Sequence, residues 1–176
     1  MDSKHYRVRP MEERDLEEVL SWRNHPDVRR YMYFQDEITL ENHRKWFSST
    51  KQDANRHLLI FETDLVPMGF ANLAVQKQHG LVADWGFYVA PGTEKGTGTY
   101  LGKCVLEFAF CDLELHKVCG EILTFNSKSI RFHKKLGFVH EGTLRQHHFD
   151  GVEYQDIECM GLLRHEWQRF KGTPHE

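Results

Sequence analysis

The stretch GFYVAPGTEKGTGTYLG at residues 86–102 passes from an alternating strand-like segment, through glycines at 92, 96 and 98, into a segment whose apolar residues fall on one helical face. A glycine-rich turn that leaves a strand and opens a helix offers bare backbone N–H groups and the positive end of a helix dipole, both suited to phosphate oxygens. KGTG lacks the Gly-Lys-Ser/Thr of a nucleotide-binding P-loop and the spacing of a dinucleotide loop. Taken alone, the stretch is equally served by a tight turn.

Working outward, three strand-like runs precede it, at residues 56–63, 66–78 and 81–90, with short joints at Asp64-Leu65 and His79-Gly80 that fit hairpins. After it, Leu101, Cys104, Val105, Phe108 and Ala109 predict a helix of about four turns. A strand at 116–125 follows, then a helix with Asn126 as N-cap and Gly137 just past its end. Two long strands, 138–149 and 152–163, are joined by Asp150-Gly151, and the chain finishes in a short helix and a frayed tail. At the N-terminus, a strand at 6–10 precedes a helix that Pro26 ends. A second helix, within 38–50, has Thr39 as N-cap and Asn42 at the capping-box position. The mixed order of strands and helices predicts an α/β (α+β) sheet flanked by helices.

A chain of 176 residues is long enough for one well-buried core and reads as a single domain over 1–176. With 40% apolar and 28% charged residues, net charge −3 and pI near 6.5, it has no general pull toward nucleic acid. No apolar run reaches the length of a membrane span and no signal-peptide core opens the chain, so a cytoplasmic protein without membrane attachment is expected. The four cysteines form no CxxC pair and the twelve histidines no HExxH pattern. His147 and His148 are expected on opposite faces of a strand. No metal site is expected.

Two motifs in the right order carry a resemblance. GFYVAPGTEKGTGTYLG resembles the acetyl-CoA loop of the GNAT superfamily of N-acetyltransferases, and NSKSIRFHKKLGF at 126–138 resembles its later motif. The likeness runs from about Tyr6 to Trp167. It implies the GNAT fold, a mixed, mostly antiparallel central sheet of about seven strands flanked by about four helices. Acetyl-CoA is the implied cosubstrate. Lys95, Gly96, Thr97, Gly98, Thr99 and Tyr100 would offer N–H groups to its pyrophosphate. Phe87, Tyr88 and Val89, on a strand that splays from its neighbour, would present backbone groups to the pantetheine arm and thioester. Asn126 and Ser129 would line that arm, and Lys135 or Lys134 would reach a phosphate.

The sequence departs from the pattern twice. Thr93 stands where the loop usually begins with Gln or Arg, which removes one side-chain contact to phosphate. His133 stands where the family has the tyrosine that protonates the departing thiolate, a task an imidazolium can perform; packing against the pantetheine is the other reading. The proton of the attacking amine calls for a carboxylate, and Asp84 and Glu121 are the two candidates, each also readable as structural.

For the acceptor, the terminal regions resemble the GNAT branch that acetylates the 4-amino group of a UDP-4-amino-4,6-dideoxy sugar in pseudaminic acid biosynthesis for flagellin modification. Arg23, Asn24, Arg29, Arg30, Tyr31, His43, Trp46 and Phe47, with Asn72 on the meander, supply the donors and aromatic surfaces that a nucleotide sugar needs. A polyamine would call instead for a carboxylate-lined cleft. Enzymes acetylating ribosomal-protein N-termini share much of the C-terminal pattern, and a non-catalytic acetyl-CoA-binding module is a further alternative. The final hairpin has the length to close a homodimer by edge pairing.

Overall fold

A computed structural model of the protein describes residues 4–172. The last residues of the expected tail, 173–176, lie outside the described residues. Seven strands form one sheet in the order β1-β2-β3-β4-β5-β7-β6: β1 (Tyr6–Pro10), β2 (Arg56–Thr63), β3 (Val66–Val75), β4 (Val82–Val89), β5 (Lys117–Leu123), β6 (Val139–Phe149) and β7 (Tyr154–Leu163). Every pairing is antiparallel except β4 with β5. This is the expected sheet.

The helices are α1 (Leu16–Asn24), α2 (Pro26–Arg29), α3 (Leu40–Thr50), α4 (Thr97–Glu107), α5 (Ser127–Lys135) and α6 (Arg164–Gly172), more than the four expected. Pro26 both ends α1 and opens α2, because a proline at the first helical position forgoes an N–H that has no partner there. Thr39 caps α3, its Oγ1 accepting from the Asn42 N–H at 3.2 Å. Asn126 caps α5, its Oδ1 accepting from the Ser129 N–H at 3.1 Å. Gly137 follows α5 at φ +91°, a left-handed position that glycine takes without Cβ strain.

The central strands are buried on both faces, which explains their continuous apolar runs. On one face Leu59, Phe61, Ala71, Leu73 and Trp85 pack with Leu101, Val105 and Leu106 of α4 and Leu136. On the other, Leu58, Ile60 and Phe70 pack with Val19 and Trp22 of α1 and Phe47 of α3. Each buried Leu, Ile, Val or Phe among them contributes about 1.5–3 kcal/mol by leaving water. Under β1, Arg9 bridges two buried carboxylates, bonding Asp15 at 2.7 and 2.8 Å and Glu62 at 2.7 Å.

Two turns differ from expectation. Asp150 and Gly151 do not make a two-residue loop: Phe149 pairs with Tyr154, and residues 150–153 form the connection. The Asp150 carboxylate accepts the N–H groups of Val152 and Glu153, which stabilises the longer turn. In β6 the register shifts between Leu144 and His148, with Gln146 at φ +49°, so His147 and His148 do not simply alternate across a regular strand.

Candidate active site

The parallel pairing of β4 with β5 covers only Val82 with Lys117, Ala83 with Val118 and Asp84 with Cys119; beyond that the strands diverge. Ala90 donates its N–H to Met68 of β3, so by strand alternation the backbone groups of Phe87 and Val89 face the opening. Those of Tyr88 face β3, which corrects the expectation that Tyr88 offers its backbone to a ligand. The opening widens into a cleft of about 770 Å³, within the usual range for a small-molecule site.

The glycine loop forms one wall of this cleft, through Thr93, Glu94, Lys95, Gly96, Gly98 and Thr99. Gly96, at φ +103°, turns the chain into α4. Among the described residues, the N–H groups of Lys95, Gly96 and Gly98 have no hydrogen-bond partner. Unpaired donors at a helix N-terminus fit an anionic oxygen. Thr97 and Tyr100 carry their side chains elsewhere: Thr97 Oγ1 donates to the Glu94 carbonyl at 2.8 Å, and the Tyr100 ring stacks on Tyr6 at 4.1 Å. The basic side chain lining the opposite wall is Lys128, with Asn126 and Ser129 beside it; Lys134 and Lys135 do not line the cleft. Lys128 lies in the first turn of α5, whereas Lys135 is two turns further along.

His133 is 3% exposed, and both its ring nitrogens are engaged. Trp85 Nε1–H donates to His133 Nε2 at 3.1 Å, and Nδ1 donates to the Ser129 carbonyl at 2.8 Å. This arrangement requires a neutral imidazole. Burial pushes its pKa down to about 4, only partly offset by the bond to Ser129. An imidazolium acid at neutral pH is therefore not what His133 supplies, which corrects the acid role. It ties α5 to β4 along the cleft wall.

Of the two candidate carboxylates, Glu121 lines the cleft and Asp84 does not. Asp84 lies at the last position where β4 pairs with β5 and accepts from Gln76 Nε2 at 2.6 Å. Glu121 lies two residues beyond Cys119, where β4 and β5 part. Its Oε2 accepts a hydrogen bond from Tyr33 Oη at 2.8 Å, and the Tyr33 ring stacks on His148 at 4.6 Å. Tyr33 escapes sequence reasoning because it lies in no motif; its aromatic neighbours at 31 and 34 were the available signal.

The expected acceptor residues divide. Tyr31 and Asn72 line the cleft, and the Asn72 Oδ1 is buried without a partner among the described residues. Asn24 is spent on Ile38, bonding both its backbone N–H and its carbonyl. Arg23 Nη2 donates to the Phe34 carbonyl at 2.6 Å, and Arg29 and Arg30 pair with Glu37 and Asp27. His43 and Phe47 are buried, with Trp46 stacked on His43 at 5.1 Å and edge-on to Phe70. Among the described residues the cleft lining includes none of Arg23, Asn24, Arg29, Arg30, His43, Trp46 and Phe47: Arg23 and Asn24 bond neighbouring backbone, Arg29 and Arg30 pair with carboxylates, His43 and Phe47 are buried, and Trp46 stacks on His43.

An acetyltransferase (GNAT) domain model matches residues 5–139. The chain belongs to this family. GNAT acetyltransferases similar to it include an uncharacterized N-acetyltransferase, YokL, derived from the SPbeta prophage of Bacillus subtilis, 31% identical over 74% of this chain and 75% of its own. The spermidine N(1)-acetyltransferase of Escherichia coli is 25% identical over 99% of this chain and 95% of its own. The acetyltransferase PseH of Campylobacter jejuni is 23% identical over 71% and 77%. The fold matches the spermidine N-acetyltransferase of Vibrio cholerae, solved with CoA and spermine, with a TM-score of 0.85, 22% identity, and coverage of 93% of this chain and 98% of that one. This GNAT chain is an acetyl-CoA-dependent N-acetyltransferase, with acetyl-CoA as its cosubstrate. Among the described residues no cluster of metal-ligating side chains is present, and no helix is long and apolar enough to cross a membrane.

Proposed function

We propose that the protein acetylates a primary amine of a small cationic acceptor of the polyamine class. The observation that carries this reading is the chemistry of the cleft away from the glycine loop. Glu121 and Asp27 stand there among Tyr31, Tyr33 and Phe70. Carboxylates and aromatic faces attract ammonium groups, whereas a diphosphate needs cations. The two lysines of the lining, Lys95 and Lys128, belong to the loop and to the first turn of α5, where they fit the CoA phosphates. Spermidine acetyltransferases that align over nearly the whole chain support the same reading.

In this reading the loop N–H groups and the helix dipole of α4 hold the pyrophosphate. The backbone of Phe87 and Val89 lines the thioester, and Glu121 takes the proton of the attacking amine. The nucleotide-sugar reading draws on the PseH relatives and on Tyr31 and Asn72 in the cleft. Its support is thinner on the cation side: Arg23, Arg29 and Arg30 are not in the cleft lining, Arg23 Nη2 donates to the Phe34 carbonyl, Arg29 pairs with Glu37, and Arg30 makes a loose pair with Asp27 at the cleft.

The test is release of CoA thiol from acetyl-CoA by the purified protein, with spermidine, a UDP-4-amino-4,6-dideoxy sugar and a ribosomal-protein N-terminal peptide as acceptors. Release with spermidine at the highest kcat/KM is expected. Release with the sugar or the peptide alone overturns the reading.

A further inference from the structure

We propose that Tyr33 is the proton donor to the departing CoA thiolate and that Glu121 recharges it. The inference rests on acetyl transfer itself and not on which amine accepts. Three observations carry it. The group at the usual acid position, His133, is neutral and has both ring nitrogens bonded, so the thiolate needs another source. The Tyr33 hydroxyl lines the same cleft and already donates to a carboxylate at 2.8 Å. That carboxylate, Glu121, sits two residues past the last β4–β5 pair, where the strands part, and lines the cleft together with Phe87.

The contact is long-range, joining a loop between α2 and α3 to β5 across 88 residues, and the His148 ring stacked at 4.6 Å fixes the plane of the phenol. Burial and the adjacent Glu121 carboxylate both hold the Tyr33 phenol above its ordinary pKa, which keeps it protonated as a donor. The protons then balance. As the amine nitrogen bonds to the carbonyl carbon and the C–S bond breaks, one N–H proton passes to Glu121 and the Tyr33 proton passes to sulfur. The Glu121 proton returns to the Tyr33 oxygen, so the net transfer is from amine to thiol.

Tyr33→Phe keeps the ring and its stack on His148 and deletes only the hydroxyl. The expected result is a fall in kcat of roughly 100-fold, in the usual range for a lost general acid, with the KM for acetyl-CoA unchanged. Glu121→Gln is expected to lower kcat comparably. Because the two groups act as one relay, the double variant should be no slower than the slower single variant. Spermidine is the acceptor; if the wild-type protein does not use it, the same variants are assayed with whichever of the amino sugar or the peptide gives turnover. A failure of the polyamine reading is thereby separated from a failure of this one. A Tyr33→Phe kcat close to wild type overturns the relay, as does a double variant whose losses multiply. So does a His133→Gln variant that melts like wild type and loses as much kcat as Tyr33→Phe.

Discussion

Trp85 and His133 share a hydrogen bond of 3.1 Å that joins β4 to α5, and it fixes the histidine as an acceptor at Nε2. With Nδ1 held on the Ser129 carbonyl, a proton added to this ring costs the Trp85 bond and places a charge in a buried site.

The pH dependence of stability follows. The folded pKa is about 4, against an ordinary value of 6.5, so between those values the unfolded chain binds a proton there and the folded chain does not. The contribution is fully present above pH 6.5 and is lost as pH falls through about 4, a span of roughly 3 kcal/mol as an order of magnitude. His133→Gln retains an acceptor for Trp85 and a donor for Ser129 but does not titrate. Urea midpoints at pH 7.5, 5.5 and 4.5 should fall less steeply for the variant; parallel slopes would show that His133 does not titrate as described.

The glycine loop separates into a conformational position and a ligand position. Gly96 has φ +103°, so Gly96→Ala is expected to cost about 1–2 kcal/mol of stability. Gly98 has ordinary backbone angles, and a Cβ there would meet Val89 and Phe132 at 3.8 and 3.9 Å, normal contact distances. Gly98→Ala should therefore melt like wild type while weakening acetyl-CoA by roughly tenfold, since the added methyl stands between the cleft-lining residues Val89 and Phe132. Calorimetric melting and acetyl-CoA titration of both variants check the division. Unchanged acetyl-CoA affinity in Gly98→Ala would remove the pyrophosphate from this loop.

These positions show what was legible in the sequence. The glycine loop, the Asn126 cap and the succession of strands and helices along the chain are local patterns, written in neighbouring residues, and they reappear at the expected places. The role of His133 was not legible, because its neutrality depends on Trp85, which lies 48 residues away and meets it only in the fold. The acceptor side failed for a related reason. Arg23, Asn24 and His43 look like ligand-binding residues by type, but α1 and α3 spend them on Phe34, on Ile38 and on the core. Tyr33 was missed because its partner Glu121 is distant in sequence and no motif joins them.

Arg9 holds the N-terminal strand to the rest of the sheet through charge. Its guanidinium serves Asp15 and Glu62, whose side chains are only 5% and 4% exposed. Burial alone would raise both carboxyl pKa values, but the Arg9 hydrogen bonds, with the Glu12 N–H on Asp15 and Arg7 on Glu62, outweigh it and hold them below the ordinary range. Arg9→Met should destabilise by about 3–5 kcal/mol at pH 7, because it leaves the two carboxylates buried with less compensation. Without Arg9 their pKa values rise, so the cost of the substitution should shrink as pH falls toward 4.5. Denaturant unfolding of wild type and variant across that range measures it; a cost independent of pH would mean that Arg9 acts through packing.

Asp27 tests the polyamine reading apart from the chemistry of transfer. It lines the cleft, is exposed, and has Arg30 at 3.5 Å and His25 at 3.9 Å as basic neighbours. A weak, exposed pair of this kind leaves the carboxylate free to bind an incoming ammonium group. An acceptor with two or more ammonium groups can place one beside Asp27 while another enters the opening at Glu121; a monoamine cannot. Asp27→Asn should therefore raise the KM for spermidine several-fold, leave its kcat near wild type, and leave the KM of a simple alkyl monoamine unchanged. The increase in KM should fade as ionic strength rises, since an exposed charge pair is screened within about 8–10 Å at physiological salt. Equal effects on spermidine and the monoamine would show that Asp27 shapes the cleft without recognising the second charge. No effect on either would move the cationic end of the acceptor elsewhere.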